Sequence, residues 1–137
     1  MIALTREYRL AASHRLHSFA LSPEANQQTY GKCNHPDGHG HNYRLLVTVA
    51  GEIDPRLGRV ADLGRLDEVV KQAVLASLDH RNLNEELPDF AGRVPTTENL
   101  AAVVAERLRA VWPADLPPLK RVRIFETRNN TFEMENL

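Results

Sequence analysis

Nine consecutive residues, Cys33-Asn34-His35-Pro36-Asp37-Gly38-His39-Gly40-His41, hold the only cysteine of the chain and three of its six histidines. His39 and His41 are two apart, so on an extended strand both imidazoles point to one face. Two imidazoles on one face can chelate a divalent metal, with zinc the commonest choice. The Cys33 thiol is close enough in sequence to serve the same site. It can close the site as a fourth, structural ligand. It can instead ionise beside a metal and act as base or nucleophile. A Gly-rich polar loop with hydrogen-bonded histidines is the bland alternative, but it gives no reason to collect a thiol and three imidazoles.

Three more places carry chemistry. Asp79-His80 follows an apolar helical stretch, and an Asp there either orients the histidine for proton transfer or caps the helix. Glu126 has the parity of Val122 and Ile124, so it faces inward. A buried carboxylate needs partners, either an Arg of the chain or the amidine-like edge of a ligand. Thr97 and Glu98 open a helix, where the Glu also complements the dipole. Arg15 and Lys32 flank the histidine-rich region and can hold phosphate.

Strands and helices must bring these residues together. Residues 2–14 alternate, with Ile2, Leu4, Tyr8, Leu10 and Ala12 on one parity, which predicts a half-buried strand. His14 ends it on the apolar parity. A long polar loop is expected over 17–38. A second strand over about 41–51 has Tyr43, Leu45, Val47 and Val49 in phase with His39 and His41. If these strands run antiparallel, His14, His39 and His41 meet at one end of the sheet. Asp62 caps a helix over 63–77, and Thr96 or Thr97 starts another to about Val111, stopped by Pro113. Strands over 119–127 and 131–135 flank the turn Arg128-Asn129-Asn130. The order ββααββ predicts an α+β fold, a four-stranded antiparallel sheet with two helices on one face. Its open edges call for protection, and oligomerisation is one way to supply it.

Composition sets the outer limits. The chain has 137 residues, 42% hydrophobic and 26% charged, with 17 basic and 18 acidic residues and a formal net charge of −1. That suits one domain over residues 1–137 and offers no global field for nucleic acid or membrane. A single cysteine fits a reducing compartment. No apolar run spans a membrane and no secretory signal is expected at the N-terminus, so the expected location is cytoplasmic. Three imidazoles without a fourth protein ligand leave a zinc position open, as catalytic sites do.

Six segments together resemble one family, the 6-pyruvoyltetrahydropterin synthase/6-carboxytetrahydropterin synthase family. They are Ala12-Ser13-His14-Arg15-Leu16, Gly31-Lys32-Cys33-Asn34, Gly38-His39-Gly40-His41-Asn42-Tyr43, Leu78-Asp79-His80-Arg81-Asn82-Leu83, Pro95-Thr96-Thr97-Glu98-Asn99 and Glu126-Thr127. The resemblance implies the tunnelling (T-) fold, with trimers closing a β-barrel and two trimers stacking into a homohexamer. It implies Zn2+ on His14, His39 and His41, a catalytic Cys33 with the relay pair Asp79 and His80, and a pterin anchored by Glu126 with Thr97 and Glu98. It implies 7,8-dihydroneopterin triphosphate as substrate and a lyase reaction that expels triphosphate. Five residues, Asn34 to Gly38, separate the thiol from His-Gly-His. That spacing is the mark of the pyruvoyl branch, whereas three is usual in the carboxy branch of queuosine biosynthesis. His35 and Asp37 stand where Asn is more usual in the family. A zinc-stabilised pterin-binding scaffold without turnover is the reading outside enzymology.

Overall fold

Alternation along residues 2–14 produces the longest strand, β1 (Ile2–His14), in a computed structural model that describes residues 1–137. It pairs antiparallel with β2 (His39–Gly51) over thirteen rungs, from Ile2 opposite Gly51 to His14 opposite His39. β2 pairs in turn with β4 (Leu119–Thr127), and β4 with β5 (Asn130–Glu135), both antiparallel. The sheet departs from the four-stranded antiparallel expectation at one edge. A two-residue strand, β3 (Arg81–Asn82), lies parallel to β1, so the sheet is mixed and five-stranded in the order β3-β1-β2-β4-β5. Two residues carry no readable periodicity, which is why the pattern did not announce it.

The expected helices are present. Asp62 caps α2 (Leu63–Val70), its carboxylate accepting the Arg65 N–H. A π turn (Lys71–Leu75) and α3 (Ala76–Leu78) continue the same path. Thr96 caps α5 (Thr97–Val111), its hydroxyl accepting the Asn99 N–H, and Pro113 follows the end. The 17–38 region is not the unstructured loop its polarity predicted. Ser22 caps α1 (Pro23–Tyr30), with Pro23 in the first turn, and a 3₁₀ turn (Gly31–Asn34) follows. α1 buries only Asn26, so it lacks an apolar stripe to betray it. That carboxamide takes the Ser18 N–H and donates to the Ser18 carbonyl, tying the preceding loop down.

The core lies between one face of the sheet and the helices. Leu10, Leu45, Val47, Val49, Val122 and Ile124 meet Leu66, Val70, Val74, Leu100, Val104 and Leu108, all essentially solvent-free. Burying side chains of this size contributes roughly 1.5–3 kcal/mol each before entropy is counted. Within the π turn, the Ala73 carbonyl accepts a bond from Arg107 of α5 at 3.4 Å, and the same guanidinium also donates to Ser77 Oγ. The same guanidinium grips Asp89 through two bonds, Nε to Oδ2 at 3.0 Å and Nη2 to Oδ1 at 2.6 Å. Arg107→Ala is therefore expected to cost about 2–3 kcal/mol, since it leaves the Asp89 carboxylate without the guanidinium that grips it. Urea unfolding of the variant checks this, and an unshifted midpoint would refute it.

Candidate active site

The last rung of the β1–β2 ladder sets the site. His14 ends β1, His39 opens β2 opposite it, and His41 lies opposite Ala12. The three share parity, and their rings meet edge to face with centroids 4.6, 5.0 and 4.7 Å apart. One nitrogen from each falls within 4.8 Å of the others. Gly38 lets the chain make this return. Its φ is +71°, and a Cβ there would lie 2.8 Å from the His14 carbonyl oxygen.

Hydrogen bonding fixes how these rings present their lone pairs. His14 is 1% exposed, and its Nδ1 lies 2.7 Å from the Pro95 carbonyl. A carbonyl only accepts, so Nδ1 carries the proton and Nε2 turns its lone pair toward the cluster. That Nε2 sits 3.0 Å from His39 Nε2. Burial pushes the His14 pKa down from 6.5 to about 4, so the ring is neutral at pH 7, as a ligand must be. Burial lowers His41 as well, against the raising influence of Glu126. His41 Nε2 is buried and lacks a hydrogen-bond partner. The nearest carboxylate oxygen, on Glu126, is 3.5 Å away. An orphaned imidazole nitrogen beside two convergent ones is what a divalent ion with imidazole preference would satisfy.

A pH dependence follows. The unfolded chain protonates His14 near 6.5, while the folded chain resists until about 4. Stability of protein stripped of metal by chelation is expected to fall across that window as pH drops, by on the order of 3 kcal/mol at its lower end. Urea midpoints measured at pH 7, 5.5 and 4.5 test this, and a flat profile contradicts it.

The other sequence candidates sort into near and far. Glu126 and Thr97 lie by the cluster. Both act on Tyr43, whose pKa is raised chiefly by burial, further by Glu126, and drawn down by the nearby Thr97 hydroxyl, which is buried without a hydrogen-bond partner. Tyr43 OH is 3.5 Å from His14 Nδ1. Glu126 meets a histidine rather than an Arg of the chain. Asp79 and His80 pair at 3.1 Å. Asp79 Oδ1 accepts the Ala11 N–H at 2.8 Å, and the His80 N–H donates to the Ala11 carbonyl. His80 has φ +60°, a strained choice for a side chain with a Cβ. Its ring is 82% exposed and shares a cavity of about 420 Å³ with His41 and Asn42.

Cys33 is half-buried in the 3₁₀ turn, where its carbonyl accepts the Leu16 N–H at 3.0 Å. Its sulfur is not among the grouped metal-type donors, so the arrangement favours an open three-nitrogen site over a closed one. Arg15 donates through Nε to the Asn34 carbonyl at 3.0 Å, and it lines a larger cavity of about 780 Å³ with His17, Asn84 and Pro95. Lys32 and Glu98 are exposed, and neither reaches the cluster through a hydrogen bond or ion pair. Sequence reasoning missed the Pro95 carbonyl and the role of Tyr43. The inward parity of Tyr43 was a signal for the second, whereas nothing in a sequence marks a backbone acceptor.

A mixed sheet backed by helices, with three convergent imidazoles at a shared strand end, defines an α+β protein with a metal-binding type of site. Comparison with known proteins gives the family. The sequence model described as 6-pyruvoyl tetrahydropterin synthase matches residues 3–136. The chain belongs to that family. It is 46% identical over 127 residues to the human protein named 6-pyruvoyl tetrahydrobiopterin synthase, covering 93% of this chain and 86% of that one. The solved structure of Caenorhabditis elegans 6-pyruvoyl tetrahydropterin synthase superposes with a TM-score of 0.90 at 37% identity, over 99% of this chain and 96% of that chain. A Pyrococcus furiosus protein named dihydroneopterin monophosphate aldolase is 41% identical over 97 residues, covering 71% of this chain and 77% of that protein.

Proposed function

We propose that this chain, as one domain over residues 1–137, is a zinc-dependent lyase that converts 7,8-dihydroneopterin triphosphate to 6-pyruvoyltetrahydropterin and releases triphosphate. The observation that carries the reading is the convergence of His14, His39 and His41 in a chain whose relatives bear that synthase name. His14, His39 and His41 would hold the zinc, and the orphaned His41 Nε2 and the tautomer of His14 support the fit. Zinc, when bound, supplies Lewis acidity toward a substrate oxygen. Cys33 moves the proton at the first side-chain carbon. Asp79 holds His80 by the ring nitrogen nearest it, leaving the other to exchange protons. Glu126 grips the amidine edge of the pterin, with Thr97 and Glu98 assisting. Arg15 and Lys32 take the triphosphate charge.

The same reading gives the assembly. The exposed strand edges are joined by trimers that close a twelve-stranded barrel, and two trimers stack as a homohexamer. No helix is long and apolar enough to cross a membrane, and we place the enzyme in the cytoplasm, without nucleic-acid or membrane partners.

A second reading has a specific observation behind it, the resemblance to the aldolase-named protein over 71% of the chain. It assigns carbon–carbon cleavage to the same site. Incubating zinc-loaded protein with 7,8-dihydroneopterin triphosphate, and separately with the monophosphate, decides the matter by product mass. Triphosphate release with the three-carbon side chain retained is the expected result. A one-carbon carboxylate with acetaldehyde would move the protein to the 6-carboxytetrahydropterin branch, and side-chain cleavage of the monophosphate would establish the aldolase reading. Binding without turnover would leave a scaffold.

A further inference from the structure

β3 runs parallel to β1 with Arg81 opposite Ala12 and Asn82 opposite Ser13. Two further steps in that register would set Leu83 against His14 and Asn84 against Arg15. The main chain does not take them, because it coils into α4 (Leu83–Glu86), capped by the Asn82 side chain. The side chain of Asn84 makes the missing rung. Its Oδ1 accepts the Arg15 N–H at 2.7 Å, and its Nδ2 donates to the Arg15 carbonyl at 2.9 Å. A primary carboxamide carries a donor and an acceptor on one edge, as the N–H and C=O of a single strand residue do, so it pairs with both main-chain groups of one residue as a residue on a neighbouring antiparallel strand would.

The clamped residue adjoins His14. From the opposite side Asn34, next to Cys33, donates to the Leu16 carbonyl at 2.7 Å. The segment leaving β1 is thus stitched to the thiol turn on one flank and to the Asp79–His80 segment on the other. Asp79 and His80 are anchored at Ala11. One anchor and a two-residue strand leave a hinge, whereas a second anchor four positions after His80 fixes a line. A left-handed His80 persists only where its surroundings over-determine it.

We propose that Asn84 is a positioning residue, holding the Asp79–His80 pair at a fixed offset from the three-histidine cluster by acting as a side-chain rung on β1. This rests on the function proposed above. The rung requires both a donor and an acceptor, so Asn84→Asp, which keeps only the acceptor, should behave as Asn84→Ala does.

The experiment is a double-mutant cycle on zinc-loaded protein with His80→Ala, together with amide hydrogen exchange at Arg15. Asn84→Ala is expected to lower kcat about 10- to 100-fold with KM within about twofold, zinc content unchanged and Arg15 exchange accelerated. In the His80→Ala background the same change should cost less than about twofold more. Equal losses in both backgrounds, or full activity in Asn84→Asp, would overturn the proposal. Unchanged Arg15 exchange in Asn84→Ala would also overturn it, whatever the kinetics. Unaltered turnover in His80→Ala alone would instead sink the assigned role of His80, with the Arg15 exchange still reporting whether the rung exists.

Discussion

Cys33→Ala is expected to lower turnover of the pterin triphosphate by about 10²- to 10⁴-fold, the usual worth of a positioned proton-transfer group, while zinc content and pterin affinity stay near those of the parent protein. The frame around the thiol explains the split. Its turn is held by main-chain and side-chain bonds, Leu16 N–H to the Cys33 carbonyl and Asn34 to the Leu16 carbonyl. None of these uses the sulfur. Removing Sγ from a half-buried position leaves the cluster and Glu126 where they are. Single-turnover kinetics with zinc quantified on the same sample checks the point. A variant that turns over at the parent rate would remove Cys33 from the mechanism.

His39→Ala should lose stoichiometric zinc and, with it, turnover. His39 supplies the nitrogen 3.0 Å from His14 Nε2. Without it two imidazoles remain, one deeply buried, and two neutral nitrogens hold an ion far more weakly than three. The expected stability consequence differs before and after metal stripping. With zinc available the parent gains stability that the variant cannot, because an ion bound only by the folded state stabilises it by mass action. After chelation the variant is the less acid-sensitive of the two, since the His39 charge that helps hold the His14 pKa down is gone. Metal analysis after gel filtration decides the first part, and full zinc retention in His39→Ala would overturn the ligand assignment.

Much of this was legible in the residues. The alternation of Leu10, Ala12 and His14 against that of His39, His41 and Tyr43 brings the three imidazoles to one strand end if the strands run antiparallel, and the last rung of the ladder is that meeting. Asp62 and Thr96 marked their helices by capping chemistry that depends only on neighbours in sequence. α1 was missed although Ser22-Pro23-Glu24 is a start signal, because an exposed helix needs no apolar stripe. β3 was missed because its existence depends on Asn82, Asn84 and Glu86 bonding locally and to β1, which is tertiary information. Glu126 was read correctly as inward, but its neighbour His41 lies on a different strand, out of reach of any spacing rule.

The thirteen-rung ladder between β1 and β2 has a further consequence for how the chain reaches its native state. A slip of one residue would turn either His14 or the His39–His41 pair to the opposite face. Pairings misaligned by one residue would therefore present at most two imidazoles together, whereas the native alignment presents three. An ion that binds all three acts as a proofreader of strand alignment, drawing the population out of misaligned traps by binding only the aligned form. Refolding with zinc present should then yield more native protein than refolding without it, even when the ion is added in the amount of a single equivalent.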